Sequence, residues 1–204
     1  MIILDDPQYS DGWWTSRSGV PTASQFKDII TPKGEPSKSK TKYLYRLATE
    51  KITGVSAGSD YASSAMKRGH TFEPEARNLF SFIHDVEVRQ VGLCFPDEQR
   101  KWAASPDGLF EDTGLEIFCP ESPNAVFCLL HPDKAIETAD KYQQIQGTML
   151  VGGFSHYYFI SYYPGLPPLI LLINRDEKFI EKLKAELEKF CFELAEITAK
   201  LRDL

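Results

Sequence analysis

Between residues 84 and 86 the apolar residues change their period. Upstream, Ala76, Leu79, Phe80 and Ile83 recur at helical spacing. Downstream, VEVRQVGLCF (86–95), RKWAAS (100–105) and GLEIF (114–118) read as three consecutive strands, with turns at Pro96-Asp97 and in the Pro106-Asp107-Gly108 region. A meander bounded by helical segments must bury its apolar faces against them. The pattern therefore predicts an α/β fold, a mixed central sheet flanked by helices, as one domain over 1–204.

The remaining segments fit that frame. Residues 13–30 begin with Trp13-Trp14, turn at Ser18-Gly19 and enter a helix that Thr22 or Ser24 can cap. The segment 31–42, with two prolines, one glycine and four lysines, reads as a mobile, exposed basic loop. A helix over 41–54 stops at Gly54. Residues 60–84 read as helical with a break at Gly69, a restart capped by Thr71, and Pro74 in the new first turn. A helix is expected over 134–151, a hairpin over 155–163 and 168–173 around Pro164-Gly165, and a long amphipathic helix over 176–204. Phe179, Leu183, Leu187, Phe190, Leu194, Ile197 and Leu201 mark its apolar face, which reads as core.

A net charge of −6 does not advertise a nucleic-acid binder, although a basic groove can sit on an acidic protein. Cys94, Cys119, Cys128 and Cys191 have no CxxC spacing, which argues against a zinc ribbon. Three lie in apolar runs and read as buried thiols in a reducing, cytoplasmic compartment, without disulfides. The N-terminal residues do not resemble a signal peptide, and no segment approaches the roughly 20 apolar residues that span a bilayer.

The chemistry concentrates in SPDGLFEDTGLEIF. A short hairpin there would bring Asp107 and Glu116 together. Two close carboxylates repel unless a cation lies between them. Hard oxygen ligands suit Mg²⁺ or Mn²⁺. An aspartate in a Pro-Asp-Gly turn is ordinary turn chemistry. Glu116 is less ordinary, because it interrupts an apolar strand.

The Pro-Asp, spacer, Glu pattern resembles the PD-(D/E)xK nuclease signature. The wider sequence resembles the lambda-type phage exonucleases, the YqaJ-like viral recombinase family. The likeness runs through Trp14, Arg17, Gly19, Val20 and Thr22–Ser24, then Gly69, Glu73, Ala76 and Arg77, then 105–109 and 114–116, then Tyr142, Gln144 and Gln146. It implies a restriction-endonuclease-like core. It also implies a Mg²⁺-dependent (or Mn²⁺-dependent) 5′-to-3′ exonuclease that degrades one strand of linear double-stranded DNA to mononucleotides. Asp107, Glu116 and the Ile117 carbonyl would hold metal, with two ions per site. Glu73 would support the metal–water network and Gln144 would orient the nucleophilic water. Arg17, Ser24 and Ser105 would grip the 5′-phosphate, a task for which arginine's bidentate donors are suited. The family further implies a homotrimeric ring around DNA and a single-strand annealing partner in phage recombination.

One position departs from the family. Two residues after Glu116, where a lysine is expected to stabilise developing negative charge, stands Phe118. Strand alternation puts it on the face of Glu116. One account is that Lys141, three residues before Gln144 on the same helical face, or Lys134 upstream, has taken over. A second is a weak or inactive DNA-end-binding or scaffold protein. A third is a deliberate substitution, although inactivating replacements are usually more conservative. An endonuclease or CRISPR-adaptation role, which usually needs a cysteine cluster, is another reading. His70, His84, His131 and His156 have no zinc-site spacing. Phe26, Tyr43 and Tyr45 could stack at a DNA end, but an amphipathic helix explains them as well.

Overall fold

The chain begins with β1 (Ile2–Ile3), α1 (Asp11–Arg17) and a 3₁₀ turn (Ala23–Asp28), followed by α2 (Lys40–Thr53) and α3 (Ser64–His84). Then come β2 (Cys94–Phe95), β3 (Gly108–Phe110), β4 (Thr113–Phe118), α4 (Ser122–Leu130), a second 3₁₀ turn (Pro132–Lys134), α5 (Ala135–Thr138), α6 (Tyr142–Gly152), β5 (His156–Ser161), β6 (Leu169–Asn174) and α7 (Glu177–Arg202). This computed structural model describes residues 1–56 and 64–204. The expected helical start at 60–63 lies outside them.

The main sheet has the order β3-β4-β5-β6. Its central pair, β4 and β5, is parallel, and both outer pairs are antiparallel. The sheet is therefore mixed, as expected. Two apolar clusters cover its faces. Leu115 and Ile117 of β4 join Ile160 of β5 and Ala76 and Phe80 of α3. Tyr157 and Phe159 of β5 join Ile145 and Met149 of α6, Leu44 and Leu47 of α2, and Leu183, Leu187 and Phe190 of α7. Each Leu, Ile, Met or Phe among them contributes roughly 1.5–3 kcal/mol of transfer free energy when fully buried. In α7 the Asp176 carboxylate accepts from the Phe179 amide at 3.0 Å and caps the first turn. The expected apolar face is core from Phe179 to Leu194, whereas Leu201 is exposed.

Two expected strands are corrected. Only Cys94–Phe95 of the 86–95 run is a strand; it pairs with β1, and the run meets the meander only at the isolated bridges Arg89–Leu109 and Cys94–Ala104. Residues 100–105 form none. Ala104 exchanges hydrogen bonds with Cys94, while Ala103 bonds Pro21 and Ala23. Its backbone partners are divided between two neighbours, so no continuous ladder forms. The region around Gly108, expected as a turn, begins β3, and the hairpin turns at Glu111-Asp112.

Helical boundaries also differ. Trp13-Trp14 lie within α1, and the helix expected from Thr22 is a short 3₁₀ turn without a side-chain cap. Helix α2 ends at Gly54, whose φ of +71° needs no Cβ, as expected. Residues 40–42 of the expected loop belong to α2. The loop's ends are tied by Thr31–Glu35 and Ser37–Ile29 backbone bonds. Helix α3 runs through Gly69 and Pro74 without a break. Buried Ala76 and Phe80 outweigh the ~1 kcal/mol cost of a helical glycine. The helix expected over 134–151 is interrupted after Thr138, and Asp140 adopts φ +53°. Helix α4 was not foreseen. Phe26 and Tyr43 are buried core residues, and of the aromatic trio only Tyr45 is exposed. All four cysteines are free, and all but Cys191 are buried. Among the described residues, no helix is long and apolar enough to cross a membrane.

Candidate functional site

β4 carries the central acid. Its alternation sends Leu115 and Ile117 to the α3 side, leaving Glu116 and Phe118 on the face toward α6. Glu116 is 1% exposed. Asp107 immediately precedes β3. Its amide bonds the Leu115 carbonyl at 3.1 Å, extending the hairpin. Its Oδ2 accepts from the Ile117 amide at 2.7 Å, so the hairpin register fixes one carboxylate beside the other. Gln8 donates to the Pro106 carbonyl at 2.8 Å, and Arg77 Nε donates to the Asp107 carbonyl at 2.8 Å. The turn that presents Asp107 is thus held from both sides.

α6 supplies the partners of Glu116. Lys141, at the N-cap, donates from Nζ to Glu116 Oε1 at 2.7 Å and to Gln144 Oε1 at 2.9 Å. Gln144 Nε2 donates to the same Glu116 oxygen at 2.7 Å. The break before α6 lets Lys141 start a new helix rather than continue the old one. Gly147 allows α6 to approach the Ser24 turn, since a Cβ there would lie 2.4 Å from the Phe26 ring. Lys134 is at the separate second 3₁₀ turn.

Charge in this centre is unbalanced. Burial pushes Glu116 up to about 8; Lys141 opposes the shift and Asp107 adds to it. Burial raises Asp107 as well, against Lys141 and the Ile117 amide. Glu73, from α3, is pushed up to about 7 by burial and by Asp107. Burial works to lower Lys141, but the three carboxylates outweigh it and raise the ammonium's pKa. Glu116 Oε2 is fully buried and has no hydrogen-bond partner among the described residues. An orphan carboxyl oxygen coupled to a second carboxyl group, with Ile117 lining the same cavity, is a donor set that fits a hard divalent cation once the acids ionise. Among the described residues, no three His, Cys, Asp or Glu side chains converge into a complete metal cage.

A second cluster faces the same cavity, whose volume is about 600 Å³. Arg17 Nη2 donates to Ser24 Oγ at 2.9 Å, and its guanidinium lies 4.8 Å from the Trp13 ring centroid. Trp13 Nε1 donates to Ser105 Oγ at 3.0 Å. The three phosphate-site candidates are therefore joined through Trp13. The sequence resemblance had marked the adjacent Trp14 instead, because nothing in a Trp-Trp pair says which ring faces inward. All the sequence candidates but Lys134 line this cavity: Glu73, Asp107, Glu116, Ile117, Phe118, Lys141 and Gln144 at one centre, and Arg17, Ser24 and Ser105 at the other. Phe118 also packs on the core, its ring stacked 6.2 Å from Phe159.

Tyr9, His70 and Arg68 line the cavity too, and sequence reasoning gave them no such place. Tyr9 has φ +70°, rare for a bulky residue, and its ring lies 3.9 Å from His70. No sequence signal marks a left-handed tyrosine.

A family model for the YqaJ-like viral recombinase domain matches residues 12–155. The chain belongs to that family. This YqaJ-like protein is similar to the alkaline exonuclease of Laribacter hongkongensis, with 29% identity, 95% of this chain and 97% of the other covered, and a TM-score of 0.82. The same exonuclease in complex with dAMP matches at 28% identity, equal coverage and the same TM-score. A phage-related exonuclease from Haemophilus somnus 129PT shares the fold, at 13% identity and a TM-score of 0.71, with 89% and 96% of the chains covered. No curated protein sequence matches the chain. Family and neighbours together support a phage-type exonuclease with the expected PD-(D/E)xK core.

Proposed function

We propose that this chain, working as one nuclease domain, is a Mg²⁺-dependent 5′-to-3′ exonuclease. It would remove mononucleotides from one strand of linear double-stranded DNA. The observation that carries the reading is the Lys141–Glu116–Gln144 triangle over a buried carboxylate with one unpartnered oxygen. That triangle supplies a cation to the acid pair from α6, although β4 carries Phe118 at the usual lysine position. It favours a relocated lysine over an inactive scaffold.

Asp107, Glu116 and the Ile117 carbonyl would hold Mg²⁺ or Mn²⁺, with two ions per site. When bound, such a metal supplies Lewis-acid stabilisation of the phosphodiester and an activated water. The remaining work belongs to side chains. Lys141 places a positive charge where negative charge develops on the phosphoryl oxygens. Gln144 orients the attacking water through the amide that also binds Glu116. Glu73 supports the water network from α3. Arg17, backed by Trp13 and joined to Ser24, with Ser105 alongside, binds the terminal 5′-phosphate through charge-assisted hydrogen bonds. The similarity to an exonuclease seen with dAMP supports a site that accepts a deoxynucleoside monophosphate.

In this reading the protein acts in the bacterial cytoplasm during phage-type recombination. It forms a homotrimer around DNA and hands the exposed 3′ strand to a single-strand annealing protein. The test compares end-labelled linear duplex with closed circular DNA, with and without Mg²⁺. Metal-dependent release of 5′-mononucleotides from linear DNA alone is expected. Cutting of closed circles would sink the exonuclease reading, and DNA binding without any cleavage would restore the scaffold.

A further inference from the structure

Arg68 lines the same cavity but belongs to a different wall from Arg17, on α3 rather than α1. Its guanidinium carbon lies 5.0 Å from the Phe72 ring centroid and 4.7 Å from that of Tyr163. Its Nε donates to the Pro120 carbonyl at 2.8 Å, just beyond the end of β4. Two aromatic rings and one carbonyl thus hold the group. Its Nη donors, by contrast, have no protein partner among the described residues. Glu75, on the same helix, is engaged by the Tyr162 hydroxyl instead. A purely structural arginine would be expected to spend its terminal donors on a carboxylate or carbonyl. Here a planar fork has been immobilised with those donors unspent, beside a cavity that holds three acids and a lysine. Immobilisation lowers the entropic cost of binding, and the fork matches two oxygens of a phosphate.

We infer that Arg68 is a second phosphate-binding residue, which grips an internal backbone phosphate of the DNA strand, separate from the terminal phosphate assigned to Arg17. The inference rests on the DNA-end reading above. It divides recognition between two arginines: Arg17 reads the chemistry of the end, and Arg68 holds the strand regardless of that chemistry.

The test is metal-free binding of a blunt duplex, followed by fluorescence anisotropy in EDTA, with 5′-phosphate or 5′-hydroxyl ends. Arg68→Gln should weaken both equally, by roughly 10- to 100-fold, as loss of a charge-assisted bond predicts. The slope of log affinity against log salt should fall by about 0.9, the value for one lost phosphate contact. Arg68→Lys should keep that slope while losing affinity, because an ammonium has charge but no fork. A methylphosphonate scan supplies a readout that a structural role would not move. One neutral internal linkage should weaken binding by the unaltered protein and have no further effect in Arg68→Gln. Circular dichroism and thermal melting check that both variants fold. Unchanged affinity and slope in Arg68→Gln, or additive losses at every linkage, would overturn the inference while leaving the DNA-end reading intact. Failure of the unaltered protein to bind duplex ends would overturn both.

Discussion

The two halves of the cavity are built on opposite electrostatic terms. At the carboxylate centre, three acids are crowded around one lysine, and Glu116 is buried with an oxygen unsatisfied. At the Arg17 pocket, a buried guanidinium rests on an aromatic face, and its one side-chain hydrogen bond among the described residues goes to a neutral hydroxyl. The first half has more acids than cations, and in the second no carboxylate hydrogen-bonds the guanidinium among the described residues. A metal ion would complete the one and a phosphate the other. The difference implies that the two halves should fail separately: damage to the first should stop chemistry, and damage to the second should blur recognition of the end.

The largest break should come from the acids. Asp107→Asn or Glu116→Gln is expected to cut Mg²⁺-dependent release of nucleotides by about a thousandfold or more, with metal-free DNA binding retained. Isothermal titration with Mn²⁺ and steady-state cleavage would check both parts. Lost DNA binding would contradict the division. Next, Lys141→Ala should lower kcat by roughly 10²–10³-fold with little change in KM. Adding Phe118→Lys to that variant should recover part of the loss, since positions 116 and 118 share a face. The same change in the unaltered protein should gain little, because Lys141 already occupies Glu116.

At the other half, Arg17→Gln should reduce the preference for 5′-phosphorylated over 5′-hydroxyl ends by about 10- to 100-fold, read as KM rather than kcat. An equal loss on both kinds of end would merge the two halves. The smallest effect is on stability. Glu116 and Glu73 have folded-state pKa values of about 8 and 7, above the ordinary glutamate value of 4.5. Between pH 4.5 and 8 the folded state therefore binds more protons than the unfolded state, and stability falls as pH rises. Lys141, also raised, loses its contribution only at pH above the ordinary lysine value of 10.5 and does not enter this window. The metal-free Tm should drop across that range. Mg²⁺ should flatten the slope. A Tm that rises with pH would remove the excess of negative charge on which the comparison stands.

How much of this could be read in advance varied with the range of the interactions. The long helix 176–204 and the hairpin at Pro164-Gly165 were legible because apolar periodicity and turn residues are local. The strand expected at 100–105 failed because its carbonyls and amides are claimed by residues near 22 and near 94. Its sequence holds no trace of that division. The break before α6 was likewise silent, since Asp140 takes a left-handed conformation that its neighbours in sequence do not signal.

The sequence by itself determined the acid pair, the face shared by Glu116 and Phe118, the Arg17 and Ser24 neighbourhood and the family. These follow from strand alternation, short spacing and motif order. Only the tertiary structure decided that Lys141 rather than Lys134 meets Glu116, that Trp13 rather than Trp14 links Arg17 to Ser105, and that the Nη donors of Arg68 have no partner among the described residues. Each of these depends on where α1, α3 or α6 packs against the sheet. Packing is set by the summed burial of many residues, none of which lies beside the side chain whose partner it selects.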